Sequence, residues 1–414
     1  MSPSTSLKSI QHKESKNLIQ TYDRHPVLLT HGKGAYVYDD TGKKYLDCLS
    51  GIGVNALGHA HPAILKVVKK QSARMIHSSN LFFHEFQAPL AEKLCKMSGM
   101  DRVFFSNSGT EAWEGAMKLA RAYAKSTAKD GHKPKWKFIA LDDSFHGRTY
   151  GSLSTTGQAK YRDPYGPNLP GVEFVKFNDI ADLSAKVNGE VCGILIETVQ
   201  GEGGIRPLSK EFMNAVRKLA DKYDSLLILD EIQSGMGRTG KWFAYQNYDI
   251  APDITTLAKP LAGGLPLGAF LCTDKVAKAL KPGMHGTTFG GGPLACAVAL
   301  EVINVLERGK YLKQNAEKGS RFLAQLKQLD ARQSCITDVR GAGLMVGVEL
   351  DNPNLAKAIV GKLMERGIII NRTHERVLRF LPPFIITERE LSTLVNELDK
   401  ALTELAPKFA EVAY

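Results

Sequence analysis

Lys259 stands where a lysine side chain could act as a nucleophile. It follows the predicted strand 254–257 and opens a segment rich in glycine and proline. Pro260 disfavours helical geometry at Lys259, and a strongly hydrated ammonium is seldom favoured at such a position. A desolvated lysine has a lowered pKa and attacks aldehydes. The alternative is an ordinary exposed lysine in a loop.

An acidic pair, Asp230 and Glu231, ends a second apolar run, 226–229. Open α/β sheets bind their ligands at the carboxyl ends of their strands. A carboxylate at that position needs a partner, because a lone buried charge is costly. A metal ion or a pyridinium would serve, and so would a helix cap or a buried salt bridge. The acidic pair by itself leaves these alternatives open.

A third stretch, 104–112, has the pattern of a strand end, a loop of small residues and a helix start. Backbone N–H groups at a helix N-terminus form an anion site, to which the hydroxyls of Ser108 and Thr110 would add. Serine and threonine are also common N-caps, and alone this stretch is better explained as a cap. Together, these three features match the three groups by which a protein can bind pyridoxal 5′-phosphate. The helix start would bind its phosphate, the strand-end aspartate its ring nitrogen, and the desolvated lysine its aldehyde. The sequence therefore predicts this cofactor, joined to Lys259 as a Schiff base, and no metal.

The elements that must position these residues follow from hydrophobic periodicity. Short apolar segments alternate with amphipathic helical patterns, which predicts an α/β fold with a mostly parallel, helix-covered central sheet in a large domain. Segments without alternation indicate strands that are buried on both faces. The predicted strands are 103–105, 138–141, 192–196, 226–229 and 254–257, and the predicted helices are 112–125, 210–223 and 293–308.

The pattern changes after residue 308 and predicts a smaller α/β domain. It contains strands within 336–350, 368–371 and 377–380 and a closing helix, 388–405. A hairpin signal at 35–46 indicates an N-terminal segment that joins this domain in space. We expect the N-terminal segment 1–70 to be part of the small domain, 71–300 to form the large cofactor-binding domain, and 301–414 to form the C-terminal small domain.

Composition argues against several classes of protein, namely nucleic-acid-binding, disulfide-rich, secreted and membrane proteins. The 414 residues include 54 basic and 43 acidic side chains, for a net charge of +11, but the charges are scattered and do not indicate nucleic acid binding. The six cysteines lie far apart, which predicts reduced thiols rather than disulfides or a zinc site. The polar N-terminus lacks a signal peptide pattern, and the apolar runs are too short for a bilayer. We expect a cytoplasmic protein that does not bind membranes.

From about Tyr22 to Pro383 the sequence resembles the class III (ω) aminotransferases, a group of fold type I enzymes that depend on pyridoxal phosphate. The resemblance rests on long motifs. These are 51–62 (GIGVNALGHAHP), 144–149 (SFHGRT), the segment 230–240, the lysine loop and 285–293. Two departures, Thr198 in place of a common proline and Gly292 in place of a frequent asparagine, are expected to have local backbone effects only.

The resemblance implies a role for each matching residue. Lys259 and Asp230 are the catalytic residues: Lys259 carries the cofactor and moves the proton, and Asp230 keeps the ring nitrogen protonated. The other implied cofactor contacts are Ser108, Gly109 and Thr110 on the phosphate, Thr288 from the second subunit of a homodimer, Phe145 stacked on the ring, and Gln233 near the ring hydroxyl. Arg148 and Arg379 are the implied carboxylate-binding residues, with Glu202 masking Arg379 when the substrate lacks a second carboxylate.

The resemblance also implies the substrates. It is greatest to family members that move the terminal amine of N2-acetylornithine, an acylated diamino acid, to 2-oxoglutarate. Gly51 stands near a point where ornithine-specific members carry an aromatic residue, so it would leave room for an acyl group. Ornithine, succinylornithine, 4-aminobutyrate and an acylated lysine intermediate are the alternative donors. An aminomutase and a non-catalytic regulator are further alternatives.

Overall fold

The computed structural model describes residues 6–409. Four sheets occur in this part of the chain. In chain order their strands are β1 Leu29–Lys33, β2 Tyr36–Asp39, β3 Lys44–Asp47, β4 Arg102–Ser106, β5 Lys137–Leu141, β6 Val172–Val175, β7 Val191–Glu197, β8 Val199–Gln200, β9 Arg206–Pro207, β10 Leu226–Asp230, β11 Ile254–Leu257, β12 Gly268–Cys272, β13 Ile336–Ala342, β14 Met345–Leu350, β15 Ile368–Ile369, β16 Asn371–Thr373 and β17 Val377–Phe380.

Helices cover the sheets. The longer ones are Leu7–Asn17, Pro62–Ser72, Gln87–Ser98, Gly109–Ser126, Lys210–Lys222, Pro293–Arg308, Tyr311–Asp330, Pro353–Glu365 and Glu388–Phe409, and the shorter ones are Tyr150–Ser154, Ala159–Arg162, Ile180–Lys186 and Asp274–Ala277. The segment Ser50–Gly53 is a left-handed turn, because all four residues have positive φ. No helix within residues 6–409 combines the length and the apolar character needed to cross a membrane.

The central sheet has seven strands in the order β4-β12-β11-β10-β7-β5-β6. All its strands run parallel except β12, which is antiparallel to both of its neighbours. Every residue of β7, β10, β11 and β12 is buried, as expected for strands with helices on both faces. The predicted α/β fold class, a mostly parallel sheet in fold type I, is therefore confirmed.

Two strands of the central sheet were not predicted. β12 begins at a glycine directly after the glycine- and proline-rich lysine loop, so its short apolar stretch was not separated from the loop. β6 lies at the sheet edge and is only partly buried, so its hydrophobic signal is weak. Both are short strands that depend on long-range pairing, which local patterns do not reveal.

The N-terminal strands join the C-terminal part of the chain. β3 pairs in parallel with β15, with Leu46 opposite Ile368, and completes the sheet β1-β2-β3-β15. One apolar core contains side chains from both regions, and the helix Pro293–Arg308 contributes to it and to the core beneath the central sheet. The division into 1–70, 71–300 and 301–414 remains a prediction.

Candidate active site

A cavity of about 380 Å³ lies at the carboxyl ends of the central strands. It brings together side chains from all three stretches that the sequence singled out. The predicted site residues that line it are Ser108, Gly109, Thr110, Phe145, Glu202, Asp230, Gln233 and Lys259. They converge because the ends of parallel strands share one edge of a sheet, so loops distant in sequence meet there.

Lys259 extends into this cavity from the end of β11. It begins the 3₁₀ turn Lys259–Ala262 with a φ of +32°, in the left-handed region. A non-glycine residue with positive φ is strained and is often found at functional sites. Burial lowers the pKa of Lys259, and the charge of Arg379 lowers it further, against the opposing charges of Glu202 and Asp230. A lowered pKa increases the fraction of neutral amine, the form that attacks an aldehyde.

Asp230 ends β10 with its side chain only 5% exposed. Its Oδ2 atom lies 2.8 Å from Nδ1 of His146, and its Oδ1 atom accepts the backbone N–H of Ile232 at 3.0 Å. The indole of Trp113 stacks on His146, with ring centroids 4.0 Å apart and planes within 7°. Asp230 therefore has a buried partner in His146, which orients its carboxylate at the cavity.

Glu231 points away from the cavity. Its carboxylate accepts the backbone N–H groups of Ala244 and Tyr245 and the hydroxyl of Ser234. The two members of the acidic pair thus have different tasks, and only Asp230 lines the cavity.

Ser108 is the N-cap of the helix Gly109–Ser126, and its Oγ accepts the N–H of Glu111 at 3.3 Å. A Cβ atom at Gly109 would lie 2.8 Å from the side chain of Ile232, so the helix start packs too tightly there for a larger residue. The hydroxyl of Thr110 contacts Ser152 Oγ at 2.6 Å. The cap does not exclude an anion site, because Ser108, Gly109 and Thr110 line the cavity at the first turn of this helix, where backbone N–H groups lack partners within the helix.

Glu202 and Arg379 form an ion pair at the edge of the cavity. Arg379 is 1% exposed, and its Nε donates to Asn371 Oδ1 at 3.1 Å. Its Nη1 donates to Glu202 and also lies 3.4 Å from Gln233 Oε1. Burial alone would raise the pKa of Glu202, but the charge of Arg379 and its hydrogen bond outweigh that effect, so the pKa lies below its ordinary value. The fold thus brings Glu202, which follows β8, into contact with Arg379 of β17, as predicted.

Besides Arg379, which reaches the cavity through Glu202 and Gln233, two predicted residues lie outside the cavity lining. Arg148 is exposed, and its guanidinium stacks over Tyr161 at 3.9 Å and lies 5.5 Å from the ring of Phe145. Thr288 is exposed in a separate surface cavity that it shares with Leu81, Phe83 and other residues. The role of Thr288 across a subunit interface stays a prediction.

Sequence reasoning missed two residues of the site. His146 was given no role, yet it is the hydrogen-bond partner of Asp230. Glu197 was also given no role, yet it lines the cavity and lies directly opposite Asp230 in the pairing of β7 with β10. The adjacency of His146 to Phe145 was the one available signal for His146, and for Glu197 the signal was its place at the end of a buried strand.

The residues of this cavity fit pyridoxal phosphate. A helix N-terminus suits its phosphate, and a lysine with a lowered pKa suits its aldehyde. A carboxylate oriented by His146 suits a protonated ring nitrogen. Both the fold and the site therefore define a fold type I enzyme that depends on pyridoxal phosphate.

Comparison with known proteins gives the family. The model of the class III aminotransferases matches residues 19–402, and the chain belongs to that family. It is a transaminase that depends on pyridoxal phosphate.

Two curated relatives are each 47% identical over 95% of this chain. They are the acetylornithine aminotransferases of Caldanaerobacter subterraneus subsp. tengcongensis, covered over 98% of its length, and of Methanocaldococcus jannaschii, covered over 97%. Among solved structures, the ornithine aminotransferase of Toxoplasma gondii ME49 has a TM-score of 0.91 at 32% identity, with 97% of this chain and 96% of that chain covered. The acetylornithine aminotransferase of Elizabethkingia anophelis has a TM-score of 0.85 at 31% identity, with 96% and 99% covered.

Proposed function

We propose that this transaminase moves the terminal amine of N2-acetylornithine to 2-oxoglutarate, giving N-acetylglutamate 5-semialdehyde and glutamate. The observation that carries the proposal is the 43–47% identity, over 93–95% of the chain, to relatives named for acetylornithine. The buried Glu202–Arg379 pair agrees with it, because one pocket must accept both an amine donor and a dicarboxylate.

When bound, pyridoxal phosphate supplies an aldehyde that takes the amino group and a ring that accepts the electron pair left by proton removal. Lys259 would hold the cofactor through Nζ and, once released by the donor amine, would move the proton at the carbon that bears nitrogen. Asp230, oriented by His146, would keep the ring nitrogen protonated, where negative charge develops. Phe145 would lie against the ring, Gln233 would lie near its hydroxyl, and Ser108, Gly109 and Thr110 would hold the phosphate.

Arg379 would bind the carboxylate of 2-oxoglutarate that lies beside its reacting carbon, and Arg148 would bind the other one. The amine end of N2-acetylornithine carries no such carboxylate, and an unpaired buried arginine is costly. Glu202 would therefore pair with Arg379 while the donor is bound and release it for the dicarboxylate. This switch lets one cavity serve both halves of the exchange.

We further propose a homodimer in which Thr288 reaches the phosphate site of the second subunit. The surface near Thr288 exposes several large apolar side chains: Leu81 is 87% exposed, Phe82 is 70% exposed, Phe83 is fully exposed, and Phe289 is 67% exposed. Contiguous exposed aromatic side chains of this kind are typical of protein interfaces. A second copy of the chain would cover them.

Ornithine is the second candidate donor, because the Toxoplasma gondii structure is that of an ornithine aminotransferase. The argument from Gly51 is weaker than expected. Gly51 belongs to the left-handed turn at a φ of +61°, a conformation that favours glycine, and the residue of this stretch that lines the cavity is Val54.

The test is a panel of amine donors with purified, cofactor-loaded protein and 2-oxoglutarate. We expect the highest kcat/KM with N2-acetylornithine, ahead of ornithine, succinylornithine, 4-aminobutyrate and an acylated lysine. A higher value for any of the other donors would replace the proposed substrate. Turnover without any keto acid would indicate an aminomutase instead.

A further inference from the structure

Glu197 is a buried acid that the proposed mechanism does not use. It ends β7 directly beside Asp230 at the end of β10, and its side chain is 6% exposed. It lines the cavity, and no lysine or arginine among the described residues lies within salt-bridge distance of it. A carboxylate in such a place is costly unless its oxygens are well satisfied.

The two oxygens of Glu197 bind two different segments of chain. Oε2 accepts the backbone N–H of Phe145 at 2.9 Å, and Oε1 accepts the backbone N–H of Gly201 at 3.1 Å. Phe145 lies on the loop that follows β5 and presents its ring to the cavity. Gly201 directly precedes Glu202, the residue that holds Arg379.

Gly201 also packs closely against Gln233, on the side of its backbone away from Glu197. A Cβ atom at Gly201 would lie 2.5 Å from Oε1 of Gln233, so this backbone is held between Gln233 and the carboxylate of Glu197. A shift of Glu197 therefore moves the backbone that leads into Glu202. Its other oxygen would transmit the same shift to Phe145.

We propose that Glu197 is a positioning residue whose two carboxylate oxygens fix the place of Phe145 relative to the Glu202–Arg379 pair. This inference rests on the proposed function, since it assigns to Glu197 the alignment of two groups that the function uses. One side chain sets both the surface against which the cofactor ring lies and the switch that admits the dicarboxylate. The positions of the cofactor ring and of the second substrate relative to each other are thereby fixed.

The chemistry of the contacts explains why an acid occupies this position. Two N–H donors approach, so two acceptor oxygens are needed on one side chain. Glutamine has one oxygen, and its amide NH₂ would face the second N–H, which leaves a buried donor unsatisfied. Burial, reinforced by the charge of Asp230, raises the pKa of Glu197 to about 8, against the opposing backbone hydrogen bonds and the charge of Lys259. The hydrogen bonds from Phe145 and Gly201 favour the ionised form, in which both oxygens of Glu197 act as acceptors.

Glu231 provides a matched control. It is also a buried glutamate, it also accepts two backbone N–H groups, and burial raises its pKa to about 7. It differs in that it does not line the cavity. A merely structural role would make Glu197→Gln and Glu231→Gln behave alike.

The experiment compares Glu197→Gln, Glu197→Asp and Glu231→Gln with the unchanged holoenzyme. Three quantities are measured: the Kd of pyridoxal phosphate from fluorescence titration of cofactor-free protein, the visible absorbance of the bound cofactor, and the ratio of the KM values for 2-oxoglutarate and the amine donor. For Glu197→Gln we expect roughly tenfold changes in the Kd and in the KM ratio, as for loss of one buried hydrogen bond. Glu231→Gln should lower the melting temperature and leave the Kd of the cofactor and the KM ratio unchanged.

Glu197→Asp keeps two acceptor oxygens on a shorter stem, so it should recover part of the change and serves if the glutamine variant does not fold. The proposal is overturned if Glu197→Gln or Glu197→Asp alters only the melting temperature, as the Glu231 control does. It is also overturned if both KM values and the cofactor Kd stay within twofold. Failure of the proposed function would appear separately, as a different preferred donor in the unchanged enzyme.

Discussion

Nδ1 of His146 lies 2.8 Å from Oδ2 of Asp230, and both residues are buried and line the cavity. Because a carboxylate only accepts hydrogen bonds, this geometry assigns the proton of the imidazole to Nδ1. Trp113 stacks on the imidazole and prevents its rotation. Asp230 is thereby held in one orientation before any ligand binds, which is the condition for electrostatic preorganisation.

Replacing Asp230 with Asn should lower kcat by roughly 100- to 1000-fold, the range seen when one preorganised electrostatic group is removed. The amide keeps the shape but cannot stabilise a proton on the ring nitrogen. Steady-state kinetics under saturating cofactor would measure the loss. Asp253→Asn is the control, since Asp253 accepts the N–H of Leu227 and pairs with Arg217 outside the cavity. Equal kcat values for the two variants would contradict the role of Asp230.

Lys259→Ala should abolish turnover, because no other described lysine lines the cavity. In the unchanged protein, borohydride reduction followed by peptide mapping should place a pyridoxyl group on Lys259. Lys318 is the internal control: burial also lowers its pKa, but its ammonium donates to the carbonyls of Phe384 and Ile386. A label on Lys318, or turnover by Lys259→Ala near the normal rate, would exclude the proposed site.

Arg379→Leu should raise the KM for 2-oxoglutarate by roughly 100-fold and change the KM for the amine donor far less. Removing one partner of a buried charge pair costs roughly 2–5 kcal/mol, and only the dicarboxylate needs the freed guanidinium. Half-reactions followed by cofactor absorbance would separate the two effects. Arg366→Leu is the control, because Arg366 pairs with Glu397 and Glu404, none of which lines the cavity. A parallel loss with both substrates would show that the Glu202–Arg379 pair is only structural.

Glu197 should make the stability of the cofactor-free protein depend on pH. Its folded-state pKa of about 8 exceeds the ordinary value of 4.5. Between these values the folded state binds more protons than the unfolded state, so the free energy of unfolding falls as pH rises. The melting temperature of Glu197→Gln, measured relative to that of the unchanged protein, should therefore rise between about pH 4.5 and about pH 8 and level off above that range. A difference that stays constant with pH would mean that Glu197 is already ionised throughout.

The proposed homodimer predicts complementation between two inactive variants. Lys259→Ala lacks the cofactor lysine, and Thr288→Asp would place a negative charge beside the partner's phosphate site. A mixed dimer contains one site with an intact lysine and an intact threonine, so mixing the variants under conditions of subunit exchange should restore part of the activity. Sedimentation would confirm the dimer. Activity that stays at the level of the separate variants would place Thr288 outside the site of its partner.

The sequence by itself determined the sites that depend on local patterns. The Lys259 loop, the strand end at Asp230 and the helix start at Ser108 each combine a buried strand with a turn, and local hydrophobicity and turn chemistry reveal both. Parallel strands then bring their carboxyl ends to one edge, so the convergence of these residues followed from the fold class. The helix Pro293–Arg308 was predicted with its observed bounds, because Pro293 begins it and Gly309 follows it.

Only the tertiary structure decided the partners. Glu202 and Arg379 come from different parts of the chain, and their contact was expected from family resemblance and not from any local pattern. His146 and Glu197 acquire their roles because Asp230, Phe145 and Gly201 surround them in space. Whether a polar side chain is buried, and which donors and acceptors it meets there, depends on contacts between residues distant in sequence, and these contacts set its charge and its chemistry.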